Sequence, residues 1–430
     1  MSFCAATNVC AATNVCEATQ KDQDDLFESL CLLIDAYIHV NIQQYIQPNF
    51  HATVVKAITE TMNNTLADIE LDYSDLLVPE IERGLALFYK HILPARCNGT
   101  TFVRKKPGLA MARQKVQYLL DIPQPEQRTP AWYEFRAKHL TASNIWKVFI
   151  SDSTRNQLIY EKCQPLSGDK FSGCGSLDSP MHWGQKYEPL SIMMYEKLYK
   201  TQVRDFGCIP HQTVEFLAAS PDGIVVEENS LRYGRMLEVK NIVNREITGQ
   251  PKMEYWVQMQ LQMEVCNLNE CDFLETRFTE YASIEEYEQD LTTEHKGQMM
   301  LFMSSSGKPM YEYAPLSISA VSASISASIS SISANLSDWE EAMMEKNSTL
   351  TWIKNIYWKL DQLSCVLVLR NKPWFKAVLP QLKDIWATIE KEKQSGYSHR
   401  LPKKTATKVK KVGVNGENIE MTAQCFINIF

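Results

Sequence analysis

Between Asp24 and about Leu120, apolar residues return every three or four positions, in "DLFESLCLLIDAYIHVNIQQYI" and again in "ATVVKAITETMNNTLADI". That interval is the period of one helix face, so the region predicts a run of amphipathic helices. Pro123 and Pro125 interrupt the pattern, and Thr129-Pro130 offers the cap and first-turn proline with which "TPAWYEFRAKHLTASNIWKVF" would start a helix. The main domain boundary is expected near residue 118. Beyond it, "EFLAASPDGIVV" and "RMLEVKNIV" are apolar runs joined by the polar, glycine-containing "EENSLRYG", which predicts an antiparallel hairpin. "SPMHWGQKYEPLSIMMYEKLYK" carries Leu190, Met193, Met194 and Leu198 as an apolar helix face, and "EYWVQMQLQMEV" reads as a half-buried helix. "WKLDQLSCVLVLRNKPWF" reads as strand then turn, and "AVLPQLKDIWATIEKEK" as a closing helix.

These patterns divide the chain into a leader (1–20), a helical N-terminal region (21–118), a mixed α/β domain (119–395) and a tail (396–430). The leader repeats "CAATNV" and spaces Cys4, Cys10 and Cys16 six apart. Such a spacing preforms no metal geometry, so a low-complexity, unfolded leader is expected. Residues 317–336, "SISAVSASISASISSISANL", repeat Ser, Ile and Ala without charge and are read as a loop insertion. The tail holds Arg400, Lys403, Lys404, Lys408, Lys410 and Lys411 with no acid among them, and is read as disordered and basic.

Composition narrows the class. At 430 residues, 45% hydrophobic and 22% charged, the chain is an ordinary globular protein with material for a large core. Its net charge of −7 does not advertise a polyanion partner, so any nucleic-acid binding must come from a local cleft, the tail or a bound metal. Twelve scattered cysteines without a C-x-x-C pair suit reduced thiols better than a disulfide scaffold, zinc site or iron–sulfur site. No secretory signal or bilayer-spanning run is read from the sequence, so a soluble intracellular protein is expected.

Chemistry concentrates in "SPDGIVVEENSLRYGRMLEVKN", residues 220–241. Strand alternation puts Glu238 and Lys240 on one face, and the hairpin brings Asp222 near Glu238. Two acids so close resist joint ionisation unless a divalent cation lies between them. Mg²⁺ prefers oxygen donors and keeps waters, and Asp222, Glu238 and the carbonyl of Val239 would give it a partial shell. Lys240 would then serve a water attacking a phosphodiester. The bland alternative is a structural Asp-Lys-Glu network on a solvated hairpin face. Three further pieces bear on the choice. Glu188, near the front of its helix, is either an added metal ligand or an exposed acid favoured by the helix dipole. Gln258, Gln260 and Gln262 either flank the site and bond waters or phosphate oxygens, or face solvent. Arg136 offers a fork for a phosphate, with Thr141 and Ser143 as hydroxyl donors, unless it is simply a solvated helix arginine.

In this order, W-x(3)-R…T-A-S, G-x(3)-E, S-P-D-G, L-E-V-K and Y-x-x-Q-x-Q-x-x-M resemble the lambda-exonuclease-like, YqaJ-type viral recombinase branch of the PD-(D/E)xK nucleases, over about residues 124–278. "QPEQRTPAWYEFR" and "GRMLEVKNIVNREITG" look like the versions carried by large DNA viruses. The resemblance implies a restriction-endonuclease-like core, a central mixed sheet flanked by helices. It implies catalytic roles for Asp222, Glu238, Lys240, Glu188 and Gln258, with Glu188, Asp222, Glu238 and Val239 holding Mg²⁺ (or Mn²⁺), two ions per site. It implies a terminal 5′-phosphate pocket at Arg136 and Ser143, with Thr141, Ser220, Arg245 and Gln260 as further DNA contacts. The implied activity is a 5′ to 3′ exonuclease on linear double-stranded DNA that leaves 3′ tails for recombination or repair of a viral genome. A single-strand-annealing protein and a homotrimeric ring are the implied partners. An endonuclease or RNA-degrading nuclease on the same core, or a catalytically silent DNA-binding scaffold, are the competing readings. The Asp222–Glu238 connector is longer than in the phage prototype, the N-terminal region and the serine-rich segment have no counterpart there, and these departures weigh against carrying over the trimer.

Overall fold

The computed structural model describes residues 19–66, 74–104, 109–166, 177, 179–316, 329–401, 407–412 and 418–423. The Cys4, Cys10 and Cys16 repeat and residues 317–328 lie outside them. The chain divides into two compact units, Met1–Trp146 with Ser167–Pro380, and Lys147–Leu166 with Gln381–Phe430.

The first unit opens with α1 (Gln20–Val40), α2 (Phe50–Leu66), α3 (Ser74–His91) and α4 (Leu109–Asp121). Each of the first three buries one residue per turn: Leu26, Leu30, Ile34 and Ile38; Phe50, Val54, Ile58 and Met62; Leu77, Ile81, Leu85 and Phe88. This is the i, i+4 stripe that the spacing predicts. Next, α5 (Pro130–Ala137) starts as expected, with the Thr129 side chain accepting from the Trp132 N–H and Pro130 in the first turn.

A seven-stranded sheet forms the centre, in the order β2 (Val203–Arg204), β5 (Gly223–Val225), β6 (Met236–Asn241), β7 (Glu270–Glu280), β10 (Thr351–Leu369), β8 (Lys296–Met303), β9 (Pro309–Tyr313). Its strands pair antiparallel except β6 with β7, which run parallel. A parallel neighbour needs a crossover, and α8 (Met253–Val265) supplies it. The result is the mixed sheet flanked by helices expected of an α/β core. On β6, Leu237 and Val239 pack with Tyr195 of α7 (Pro180–Tyr199), while Glu238 points the other way and meets Gln262 of α8.

The run "EFLAASPDGIVV" is not one strand. Its first half, β4 (Leu217–Ala219), joins a separate small sheet, parallel to β1 (Leu140–Thr141) and antiparallel to β3 (Ile209–Pro210). Only β5 pairs with β6, Gly223 opposite Leu237. Pro221 lacks an N–H and cannot carry a ladder through the junction, so the chain changes sheets at Ser220-Pro221-Asp222.

Three other expectations change. The connector "EENSLRYG" is not simply polar surface: Arg232 is buried, as is Arg235 just beyond it. Arg235 Nη2 donates to Glu270 Oε2 at 2.7 Å, and Arg232 Nη1 to Asp272 Oδ2 at 2.6 Å, which ties the entry of β6 to that of β7. Residues 329–336 of the presumed loop insertion belong to a helix, Ile329–Lys346. They contain neither Gly nor Pro to stop propagation from the "DWEEAMMEK" that follows. Inside the tail, β11 (Thr407–Val412) and β12 (Asn418–Ala423) pair antiparallel as a hairpin.

The second unit contains α6 (Asp152–Cys163) and that hairpin. Within it Arg400 is held by Glu392 and donates to Asn156 Oδ1 at 2.9 Å. The seven described cysteines are free thiols. No described helix is long and apolar enough to cross a membrane.

Candidate active site

The junction between the two sheets builds the site. Gly223 opens β5 so close to β2 that a Cβ there would sit 2.2 Å from Val203 Cγ1, so a side chain would have to displace that valine. Asp222, one residue earlier, accepts the backbone N–H of Val239 through Oδ2 at 2.7 Å. This bond fixes the aspartate across from Glu238, where the hairpin geometry predicts it.

Glu238 is fully buried. Lys240 Nζ bonds to its Oε1, and Gln262 Nε2 donates to its Oε2 at 2.7 Å. Burial pushes the Glu238 carboxyl up to about 7, and the Asp222 charge adds to the rise against the opposing pull of Lys240 and Gln262. Lys240 also donates to the Val239 carbonyl at 3.1 Å and lies 5.2 Å from the Tyr255 ring centroid. Burial disfavours its charge, but Glu238 and Asp222 outweigh that and hold the amine above its ordinary range. In this arrangement Lys240 is an ammonium, suited to orient a water or offset anionic charge rather than to accept a proton.

Glu188 comes from α7 with 28% of its side chain exposed, and Arg128 Nη2 lies 3.1 Å from its Oε2. Its carboxyl is pushed up to about 7 by burial and then by Asp222, against Arg128 and Lys240. Two residues of this cluster were missed in the sequence. Asp205, just after β2, has its carboxyl raised by partial desolvation and by Asp222, against Arg128. Arg128 adopts a left-handed backbone, φ 66°. Their proximity depends on the β2–β5 pairing and on the loop of Gln127, whose Nε2 donates to the Phe206 and Pro221 carbonyls at 2.9 and 3.3 Å. No local spacing announces it.

The Arg136 block lies against the same junction because β1 pairs with β4, Thr141 opposite Ala218. Arg136 Nη2 donates to Ser143 Oγ at 2.8 Å, and the guanidinium lies 4.2 Å from the Trp132 ring centroid. Thr141 is buried, its hydroxyl 3.4 Å from that of Ser143. Ser220 Oγ accepts from Trp132 Nε1 at 3.1 Å.

The glutamines are redistributed. Gln260 is not a phosphate contact: it is buried, its Nε2 donates to the Leu369 carbonyl and its Oε1 accepts from Asn371 N–H, tying α8 to the end of β10. Gln258 is half-buried, and it is Gln262, one turn on, that reaches Glu238. Four residues is one helical turn, so Gln258 and Gln262 share a face and the pattern alone does not choose between them. Arg245 pairs with Glu275, the β7 partner of Lys240 in register, donates to the Glu246 carbonyl, and lies 5.6 Å from the centroid of the Tyr255 ring that Lys240 also approaches.

Among the described residues, no three Asp, Glu, His or Cys side chains form a ready-made ligand set. The fit to a divalent cation is one of donor chemistry. Asp222, Glu238 and Glu188 are hard oxygen donors, and the Asp222 charge raises the carboxyls of both glutamates, a repulsion that a cation would relieve. Gln262 Oε1 is buried without a hydrogen-bond donor, as an acceptor for a coordinated water would be.

Residues 131–269, about a third of the chain, match the family model of the YqaJ-like viral recombinase domain, and the resemblance read from the motifs holds over that segment. An uncharacterized protein of Acanthamoeba polyphaga mimivirus is 27% identical over 306 residues, covering 63% of this chain. The chain spans about half the length of that relative, 54%. Among solved structures, an alkaline exonuclease from Laribacter hongkongensis aligns over 62% of this chain and 95% of its own, at 17% identity and a TM-score of 0.35. The same exonuclease in complex with dAMP aligns at 18% identity and the same TM-score.

Proposed function

We propose that the chain is a divalent-metal-dependent deoxyribonuclease that degrades linear duplex DNA from a 5′ end and leaves 3′ single-stranded tails. The observation that carries this reading is the convergence of Asp222, Glu238 and Lys240 on one strand pair, beside an Arg136–Ser143 pair linked to the same turn by Trp132, which lies under Arg136 and donates to Ser220. The YqaJ-like match over residues 131–269 supports it.

Each residue then has a task. Asp222, Glu238, the Val239 carbonyl and Glu188 would hold Mg²⁺ or Mn²⁺. The cation, when bound, polarises the scissile phosphate and makes an attacking water acidic. Lys240 orients that water and offsets charge on the phosphate. Gln262 fixes the Glu238 carboxylate from its buried side. Arg136 and Ser143 donate to a terminal phosphate, with Thr141 supporting Ser143, and that contact restricts cleavage to ends.

Incubation with Mg²⁺ of duplexes labelled at either end, beside covalently closed circles, tests the reading. Label is expected to leave 5′ ends first and circles to survive. Cut circles, or release from 3′ ends first, would overturn it.

The tail is expected to add sequence-independent affinity. Arg400 is committed to Glu392, and the sequence beyond it supplies Lys403, Lys404, Lys408, Lys410 and Lys411. Deleting residues 402–430 should weaken duplex binding and flatten its dependence on salt by up to about 4.5 in log–log slope, since each phosphate neutralised contributes about 0.9. Titrations by fluorescence anisotropy at several salt concentrations measure both, and an unchanged slope would show the lysines idle.

A further inference from the structure

A ring contact and three hydrogen bonds, joined through the two oxygens of Ser220, link the Arg136 pocket to the buried carboxylate. Trp132 lies beneath the Arg136 guanidinium, 4.2 Å from ring centroid to Cζ, and its Nε1 donates to Ser220 Oγ at 3.1 Å. The Ser220 carbonyl accepts from Gln262 Nε2 at 3.2 Å, and the same Nε2 donates to Glu238 Oε2 at 2.7 Å. Gln262 and Glu238 are both fully buried.

We propose that Trp132, Ser220 and Gln262 are positioning residues that make the orientation of Glu238 depend on a terminal phosphomonoester seated between Arg136 and Ser143. The proposal rests on the end-directed reading above. A phosphate entering that pocket competes for the guanidinium and for the Ser143 hydroxyl, which now bond to each other. Arg136 leans on the Trp132 ring, so its movement shifts the indole, and the indole N–H holds the residue next to the Pro221 junction. Both amide protons of Gln262 are spent on Ser220 and Glu238, while its Oε1 has no partner. The amide has no spare donor with which to absorb a shift of Ser220, so the shift passes to Glu238 or breaks a buried bond. Coupling through such a bridge falls in the range of five- to about 150-fold, and a single neutral bond at its centre suggests about tenfold.

Trp132→Phe keeps an aromatic ring under Arg136 while removing the N–H together with the five-membered half of the indole, and Ser220→Ala, which takes away only the acceptor hydroxyl, controls for the lost ring area. Single-turnover rates are compared on blunt duplexes bearing 5′-phosphate or 5′-hydroxyl, and affinity for both is measured by anisotropy in EDTA. The expected result is that the rate advantage of the phosphorylated end falls about tenfold while its affinity changes by less than about twofold. Ser220→Ala, which removes the acceptor of the same bond, should lose the same advantage, and the double variant should lose no more than either single one. The bridge is overturned alone if the wild-type preference persists in Trp132→Phe, if both substrates slow equally, or if affinity falls with the rate ratio. A wild-type ratio near one overturns the end-directed reading, and the bridge with it.

Discussion

Replacing Lys240 with methionine should leave a folded chain that hydrolyses linear duplex about 10²- to 10⁴-fold more slowly, the range associated with one positioned proton-handling or charge-stabilising group. The methylenes of lysine are retained in the apolar neighbourhood of Tyr255, and what is removed is the ammonium that bonds to Glu238 and to the Val239 carbonyl. Folding should survive because Glu238, already pushed up to about 7, answers the loss of its counter-charge by holding its proton more tightly. Duplex affinity in EDTA should be nearly unchanged, because the proposed end contacts are Arg136 and Ser143 on the other side of the junction. Arginine should rescue little, since a planar fork does not reproduce two bonds made by one nitrogen. Single-turnover kinetics with anisotropy on the same preparations decide the matter. A Lys240→Met chain that cuts at the wild-type rate would remove Lys240 from the mechanism.

The elements were legible where local rules decide them. The i, i+4 stripes of α1 to α3, the Thr129-Pro130 start of α5 and the alternation that puts Glu238 and Lys240 on one face all follow from residues close together in sequence. What was hidden depends on chain segments meeting. The break of "EFLAASPDGIVV" into two sheets required knowing that β4 prefers β1, a two-residue strand more than seventy positions earlier. The burial of Arg232 and Arg235 required their partners Asp272 and Glu270 on the neighbouring strand. Asp205 and Arg128 join the acidic cluster only through β2 and the Gln127 loop, and the choice among Gln258, Gln260 and Gln262 turns on a helix rotation that a mixed polar and apolar pattern does not reveal. Metal ligation is a reading of donor chemistry in the sequence and in the fold alike.

Glu238→Gln should abolish detectable hydrolysis and, in EDTA above pH 7, make the chain more stable. The sign follows from linkage. The carboxyl of Glu238 moves from an ordinary 4.5 to about 7 on folding, mainly through burial and then Asp222. Between those values the native state binds more protons than the unfolded chain, so this residue costs nothing below about pH 4.5, and its cost grows to its full size above about pH 7. A displacement of that size corresponds to about 3 kcal/mol. Glutamine keeps the shape of the protonated acid without the charge, so the gain should be present at pH 8, shrink through pH 6 and vanish near pH 4. Glu188, raised to about 7 for the same reasons, contributes in the same direction and window in both proteins. Mg²⁺ should reverse the ranking, because a ligand that binds only the native state stabilises it in proportion to the logarithm of its concentration over Kd, and the variant lacks one anionic donor. Denaturation curves at pH 4.5, 6 and 8, with EDTA and with excess Mg²⁺, separate these effects. If Glu238→Gln is less stable than wild type in EDTA at pH 8, the pair with Lys240 outweighs the repulsion from Asp222 and Glu238 is a structural anion. If both proteins gain equally from Mg²⁺, Glu238 is not a ligand. The combination expected, an inactive chain that is firmer without metal and indifferent to it, is the mark of a residue kept charged and buried for a cation.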